Sequence, residues 1–529
     1  MNRSAKALYF VYLIGLVSII AGITLLKGGA FIDRHEGDTL HLAEIVLRMA
    51  GGQWPHIDFV TPLGIAGFFP IVGFVWAGFG IGQAILLGQV AFATAIIPML
   101  WWASVSRLPK WLCYVFGAIT LIMILALVHG ETGPQVSLSM HYNRWSWALA
   151  FIAIVIAALE PRGNGSQVAD GLVLGLATAF LILCKITYGV AFAPALVVAL
   201  LIRGQMRALI TGLICVALCL LAVTIFAGLG FWQAYIGDLL LVSGSDIRPR
   251  AGLGWTDLVL APAFFLGNTM LLAAVYLLRK GENPALGLIL VLLAPGFIYV
   301  TFQNYGNDPK WLAVLAVLVL AGQPSRALGG VGLVVASLIA PSFLNMAFSP
   351  VRHLKLPSEG FVAIFEDAPH NDLETISGRT YTVHTQERMV FEGADFAYLN
   401  ELAEHDEPPI WRGIEVATCL QQTGLIGTSQ AMASDLDAVG YGKDVSVFVA
   451  DTFSAGFWMF GETTPLKGGA PWYYGGLSGF DAADYLLVPS CPSSPRAFRA
   501  ILRDLQSIED ELEERRRTEL YTLYQIPKK

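Results

Sequence analysis

Long apolar runs separated by short polar loops fill the first 350 residues, and each run can be read against the roughly 20 residues that a helix needs to cross a bilayer. Stretches at 7–26, 82–105, 111–128, 145–160, 168–184, 187–202, 208–228, 258–279, 285–302, 310–322 and 327–346 predict about eleven transmembrane helices. The first follows Arg3 and Lys6 and lacks a small-residue cleavage site, so it reads as a membrane anchor and not as a removable signal. Pro62–Phe79 is apolar too, but it is short and carries Gly64, Gly67, Pro70, Gly73 and Gly78. From Val351 the long runs stop and acidic residues rise. Strand patterns at Val445–Ala450 and Tyr485–Pro489, a charged helical run at Pro495–Arg517 and a last strand at Leu520–Gln525 predict an α/β or α+β domain. The expected division is a membrane module over 1–350 and a soluble domain over 351–529.

Basic residues set the expected orientation. With 62–79 treated as an interfacial helix, the loops holding Arg107 and Lys110, Arg162, Arg203 and Arg207, Arg279 and Lys280, and Arg326 fall on the side of Arg3 and Lys6. Counting 62–79 as a full span would put all of them outside, against the positive-inside rule. The first count places the N-terminus in the cytoplasm and the C-terminal domain outside.

Composition agrees with the pattern: 55% of residues are hydrophobic and 14% charged, against about 25% charged in soluble domains. Mean hydropathy is +0.61. A net charge of -7 leaves no basic surface for nucleic acid. Cys113, Cys184, Cys215 and Cys219 lie in apolar spans and read as packing residues, whereas Cys419 and Cys491 can pair if their domain is extracytoplasmic. No G-x-G-x-x-G opens a helix after a strand and no Walker lysine motif occurs, so no nucleotide cofactor is expected. The aromatic and glycine-rich stretch Phe453–Phe480 suits sugar stacking, but packing of the domain is the more ordinary use of such a stretch.

On the expected topology the unusual polar loops all gather on the outer face. They are Phe31–Gly64, His129–Arg144, Gly230–Asp257 and Gln303–Trp311. Phe31–Gly64 packs Asp33, Arg34, His35, Glu36 and Asp38 together ahead of a helical pattern, where the helix dipole favours carboxylates. It continues through Ala43 and Glu44 to Trp54-Pro55-His56-Ile57-Asp58-Phe59 and Pro62-Leu63-Gly64. This arrangement resembles the first external loop of the GT-C membrane glycosyltransferases, a superfamily that includes protein O-mannosyltransferases and bacterial aminoarabinose transferases. A lysine turn between two spans, here Lys185, is similar to GT-C chains as well.

The resemblance implies a GT-C-like helical membrane protein with interfacial helices. It implies a sugar donor on a polyprenyl phosphate and a glycan, lipid or protein acceptor reached from the extracytoplasmic side of the inner membrane. It implies Asp38 as the base, since it aligns with the acidic start of the family's helix, with Glu36 next; the chain departs from the family's two adjacent acids by placing Gly37 between them. Lys185 would bind the donor phosphate, and Arg248, Arg250 and Lys310 are further cations for that role. Asp58, His141 and Arg144 would order loops or contact the acceptor. A divalent metal is an open question: Asp38, Glu36 and Asp308 offer oxygen ligands, but no spacing demands one. The alternative is a transporter or flippase of a lipid-linked or small polar substrate, which would place ionisable groups near the bilayer midplane. The predicted spans carry almost none there.

Overall fold

The computed structural model describes residues 1–129, 133–163, 165–247, 255–260, 262–281, 283–304, 309–322, 325–387, 395, 409–416 and 419–528. The chain divides into two compact units. One comprises Met1–Asp38, Leu63–Leu229 and Pro249–Leu356, and the other Thr39–Pro62, Gly230–Arg248 and Pro357–Lys529.

The first unit is helical, and helices occupy every predicted apolar stretch. Among the described residues six helices are long and apolar enough to cross a membrane, beginning with Arg3–Leu25, and three shorter ones, Lys110–Leu125, Ile186–Ile202 and Trp311–Ala321, are also apolar. In Met206–Ala227 only 11% of the apolar window is buried. So much exposed hydrocarbon is stable against lipid and not against water. Pro62–Phe79 forms a 3-10 turn, Ile65–Gly67, and an eight-residue helix, Phe69–Trp76. At about 1.5 Å per residue that helix cannot cross a bilayer.

Small residues set the tightest helix contact. Gly171 and Gly175 of Gln167–Cys184 face Ala208, Gly212 and Cys215 of Met206–Ala227. A Cβ on Gly171 would meet the Ala208 carbonyl oxygen at 2.5 Å, so the GxxxG spacing allows the backbones to touch. The helix His141–Ala158 is the centre of the unit: every residue of it except Tyr142 is buried. Ion pairs tie helix ends together away from the His141 end. The Arg107 guanidinium donates to Asp170 at 2.7 Å and to the Leu159 carbonyl at 2.9 Å, and Trp102 donates to the same carboxylate at 2.8 Å.

The second unit is built on a four-stranded sheet in the order Glu513–Arg517, Tyr521–Gln525, Tyr485–Pro489, Val447–Val449. The last two strands are parallel and the others antiparallel. Alternation sorts the side chains between two faces. Phe448, Leu486, Val488 and Tyr524 pack on the helix Pro495–Leu505, while Val447, Val449, Leu487 and Leu523 pack on the helix Leu425–Ala438. Cys419 and Cys491 form a disulfide.

One predicted element is different. The charged run is helical only over Pro495–Leu505; a 3-10 segment follows, and Glu513–Arg517 is an edge strand, not a solvated helix face. Charges alone carry no period. What decides is the partner strand, whose buried Tyr521 and Leu523 need a neighbour, and a charged edge blocks further pairing. Arg516 pairs with Asp435, and Arg517 with Glu514 at 2.6 Å.

Candidate active site

Three segments of the first unit converge on the first turn of His141–Ala158. One is the loop before that helix. Buried Arg144 donates to the Ala126 carbonyl at 2.9 Å, the Ser139 carbonyl at 3.0 Å and the Val128 carbonyl, closing both ends of the loop onto itself. The second is the 3-10 turn after Leu63, whose Gly67 carbonyl lies 2.8 Å from His141 Nε2. The third is Lys185, the single residue that separates Gln167–Cys184 from Ile186–Ile202.

Gly64 explains how the second and third segments meet. Its amide donates to the Cys184 carbonyl at 2.9 Å, and a Cβ in its place would lie 2.0 Å from the Leu183 carbonyl oxygen. Only a residue without a side chain fits.

Asp38 sits half-buried in the first turn of the helix Glu36–Ala50. It accepts a hydrogen bond from Ser139 Oγ at 2.7 Å, and Ser139 Oγ lies 2.8 Å from His129 Nδ1. Because the serine proton goes to the carboxylate, His129 Nδ1 carries the hydrogen that reaches Ser139, and Nε2 keeps its lone pair. The His129 ring stacks on His35 at 4.4 Å, and His35 Nδ1 lies 3.1 Å from Ser137 Oγ. Burial, reinforced by the charges of His35, Arg144, Lys310 and Arg34, pushes the His129 imidazole down to about 3, so it is neutral at pH 7. His35 and Met140, which bracket this chain, both hold positive φ, 64° and 54°. Strain of this kind in non-glycine residues persists only where the surroundings enforce it.

On the other side of the helix turn, Lys185 Nζ donates to Asn143 Oδ1 at 2.8 Å and to Asn304 Oδ1 at 2.5 Å. Asn304 in turn donates to the Tyr188 hydroxyl at 2.9 Å. A polar cavity of about 10 Å³ lies at this turn, lined among others by His129, Asn143, Arg144, Asn304 and Lys310; neither Asp38 nor Lys185 is in its wall. Asp38 reaches the wall of this hollow through Ser139 and then His129, and Lys185 through Asn143 and Asn304.

The remaining predicted residues divide as follows. Glu36 shares the first helix turn with Asp38. Lys310 is buried at the cavity wall. His141 is spent on the Gly67 carbonyl and Arg144 on the loop. Arg248, Arg250 and Asp308 lie outside the described residues. Asp58 belongs to the second unit, where its carboxylate accepts the Trp54 amide at 2.7 Å and its carbonyl accepts the Gly468 amide at 2.8 Å. Beside it, His56 Nδ1 lies 2.8 Å from the Asp238 carboxylate. Glu44, the acid one turn along the helix, is fully buried in the second unit against Arg48 at 2.8 Å, and burial raises its carboxyl above the usual range despite that partner. Among the described residues no group of three His, Cys, Asp or Glu side chains is placed to hold a metal ion.

His129, Ser139, Asn143 and Asn304 did not stand out as individual residues in the sequence. The signal was the polar cluster Ser139-Met140-His141-Tyr142-Asn143-Arg144 opening an apolar helix.

The chain matches no known protein family and no curated protein. Among solved structures it is similar to the crystal structure of ArnT from Cupriavidus metallidurans in the apo state, with 11% identity over 97% of each chain and a TM-score of 0.38. At that score the likeness decides nothing about chemistry.

Proposed function

We propose that the chain is a membrane glycosyltransferase that moves a sugar from a polyprenyl-phosphate donor to an acceptor on the extracytoplasmic side of the inner membrane. The observation that carries this reading is that a carboxylate, Asp38, and a cation, Lys185, are each linked by hydrogen bonds to the wall of one polar cavity at the first turn of a buried helix. The motif resemblance of the first loop supports it independently.

As the acceptor oxygen attacks the anomeric carbon, its proton passes to Asp38. The bond from the anomeric carbon to the phosphate oxygen breaks, and the electron pair stays on the phosphate, where the Lys185 ammonium stabilises it. Phosphate is already a capable leaving group, so no second carboxylate is needed as an acid. Arg144 acts by holding the loop that carries Ser139, and Lys310 adds positive potential at the cavity wall.

The test uses the full-length protein reconstituted in vesicles with polyprenyl-phosphate sugars extracted from its expression host, following donor consumption. Asp38→Asn is expected to abolish turnover while insertion and solubility stay normal. Turnover at the wild-type rate would sink the base assignment. Surface glycans and glycolipids compared with and without the protein identify the sugar.

A further inference from the structure

The second unit contains a cavity that the proposed transfer does not use. It lies at the carboxyl ends of the parallel strands Val447–Val449 and Tyr485–Pro489, the position where open α/β sheets take their ligands. Its volume is about 140 Å³. Exposed Val383, Glu519 and Leu520 stand at its rim, so it is a pocket reached from the surface.

Its walls are apolar and adaptable. One side is a face of the helix Leu425–Ala438, presenting Leu425 and Met432 at helical spacing; the other is formed by Phe457, Met459 and Phe460. Asp451, Gln421, Thr428 and Ser429 on the wall are committed to protein partners, while Thr385, Ser490 and the exposed Glu519 also reach the lining. The Asp451 carboxylate accepts from the amides of Thr452 at 2.7 Å, Ser493 at 2.6 Å and Ser494 at 3.0 Å, and from the Ser493 hydroxyl at 3.0 Å. Gln421 donates to Thr428 Oγ1 at 2.8 Å, which donates to the Gly424 carbonyl at 2.8 Å, and the Ser429 hydroxyl donates to the Leu425 carbonyl at 2.8 Å. The lining is nevertheless mostly apolar, and an apolar cavity of comparable volume takes a guest of about six carbons.

One flank is covered by the two-stranded ribbon of Thr385–Glu387 and Cys419–Gln421, and the disulfide from Cys419 to Cys491 pins that ribbon to the cavity wall. The space is therefore held open under a fixed cover.

We propose that this cavity is a binding site for an uncharged hydrocarbon group of about six carbons, supplied either as a free ring or as the end of a lipid chain. The proposal stands apart from the transferase reading and survives its failure.

The experiment titrates benzene into the full-length protein in lipid nanodiscs with 13C-methyl-labelled methionine. Of the 11 methionines, Met432 and Met459 line the cavity, and Met→Leu variants assign their signals. The expected result is a saturable shift of these two methyl signals with the other signals unmoved, and its loss in Ser429→Leu, which fills space on the helix wall. Farnesol and 1-hexadecanol in parallel arms distinguish a branched from a linear chain end, and a shift with benzene alone identifies a free ring. No shift from any probe, or an equal drift of all methionine signals, overturns the proposal. The wild-type titration decides even if the filled variant does not fold.

Discussion

At the scale of single residues, the chemistry of the candidate site turns on a neutral histidine. His129 reaches Asp38 through the Ser139 hydroxyl, so the state of the carboxylate and the orientation of the imidazole are coupled. The folded value of His129, about 3, lies below its ordinary value of 6.5. The stability it contributes is therefore complete above about pH 6.5 and is lost as the pH falls towards 3. His129→Gln is expected to remove that acid sensitivity from the thermal midpoint measured between pH 6.5 and pH 4, while an unchanged profile would show that the ring titrates freely. None of this was legible in the sequence, since Ser139 is 101 residues from Asp38 and nothing local distinguishes it from other loop serines. Asp38 and Lys185 could be singled out because a charge beside an apolar run is unusual whatever it touches.

Among the elements, apolar run length located the helices, although among the described residues six of them, and not about eleven, are long and apolar enough to cross a membrane. The glycines and shortness of Pro62–Phe79 left it open as a span and the positive-inside count made it interfacial; it forms a turn and a short helix. What run length could not reveal is why Gly64 ends the first loop. Its place against the Leu183 carbonyl is a contact across about 120 residues, and it makes the loop and the lysine turn one construction. Gly64→Ala is expected to cost about 1–3 kcal/mol through overpacking, read as a lower denaturation midpoint in detergent, and to shift Lys185 from its asparagines. Wild-type stability would show that the turn yields freely. The strand at Glu513–Arg517 failed for the opposite reason: a sequence of charges has no apolar period, so only its partner could define it.

For the whole molecule, the distribution of basic loops predicts an orientation. Gln167 opens one helix, and Leu229 follows the end of Met206–Ala227, which packs parallel to it, so the two residues mark opposite ends of that helix pair. In intact cells, Leu229→Cys is expected to react with an impermeant thiol reagent and Gln167→Cys to be protected; the reverse pattern would invert the orientation. The native cysteines of the first unit lie in apolar helices and interfere little. The fold of the second unit was legible only in outline: three strands and a helix were evident, whereas the sorting of Phe448 and Val447 to different layers follows from a sheet whose order no local pattern specifies.

The bridge between Cys419 and Cys491 spans 72 residues, and closing a loop of that length is worth about 4 kcal/mol by restricting the unfolded chain. Cys491→Ser is accordingly expected to lower the unfolding midpoint of the second unit and raise its protease sensitivity, with no change in either measure arguing against the bond. A thiol pair of this kind matures only after it meets an oxidant, which the cytosol withholds. Folding of the second unit is therefore complete only once an oxidant has acted on Cys419 and Cys491, and chain kept under reducing conditions would carry two thiols where the finished protein has a clasp.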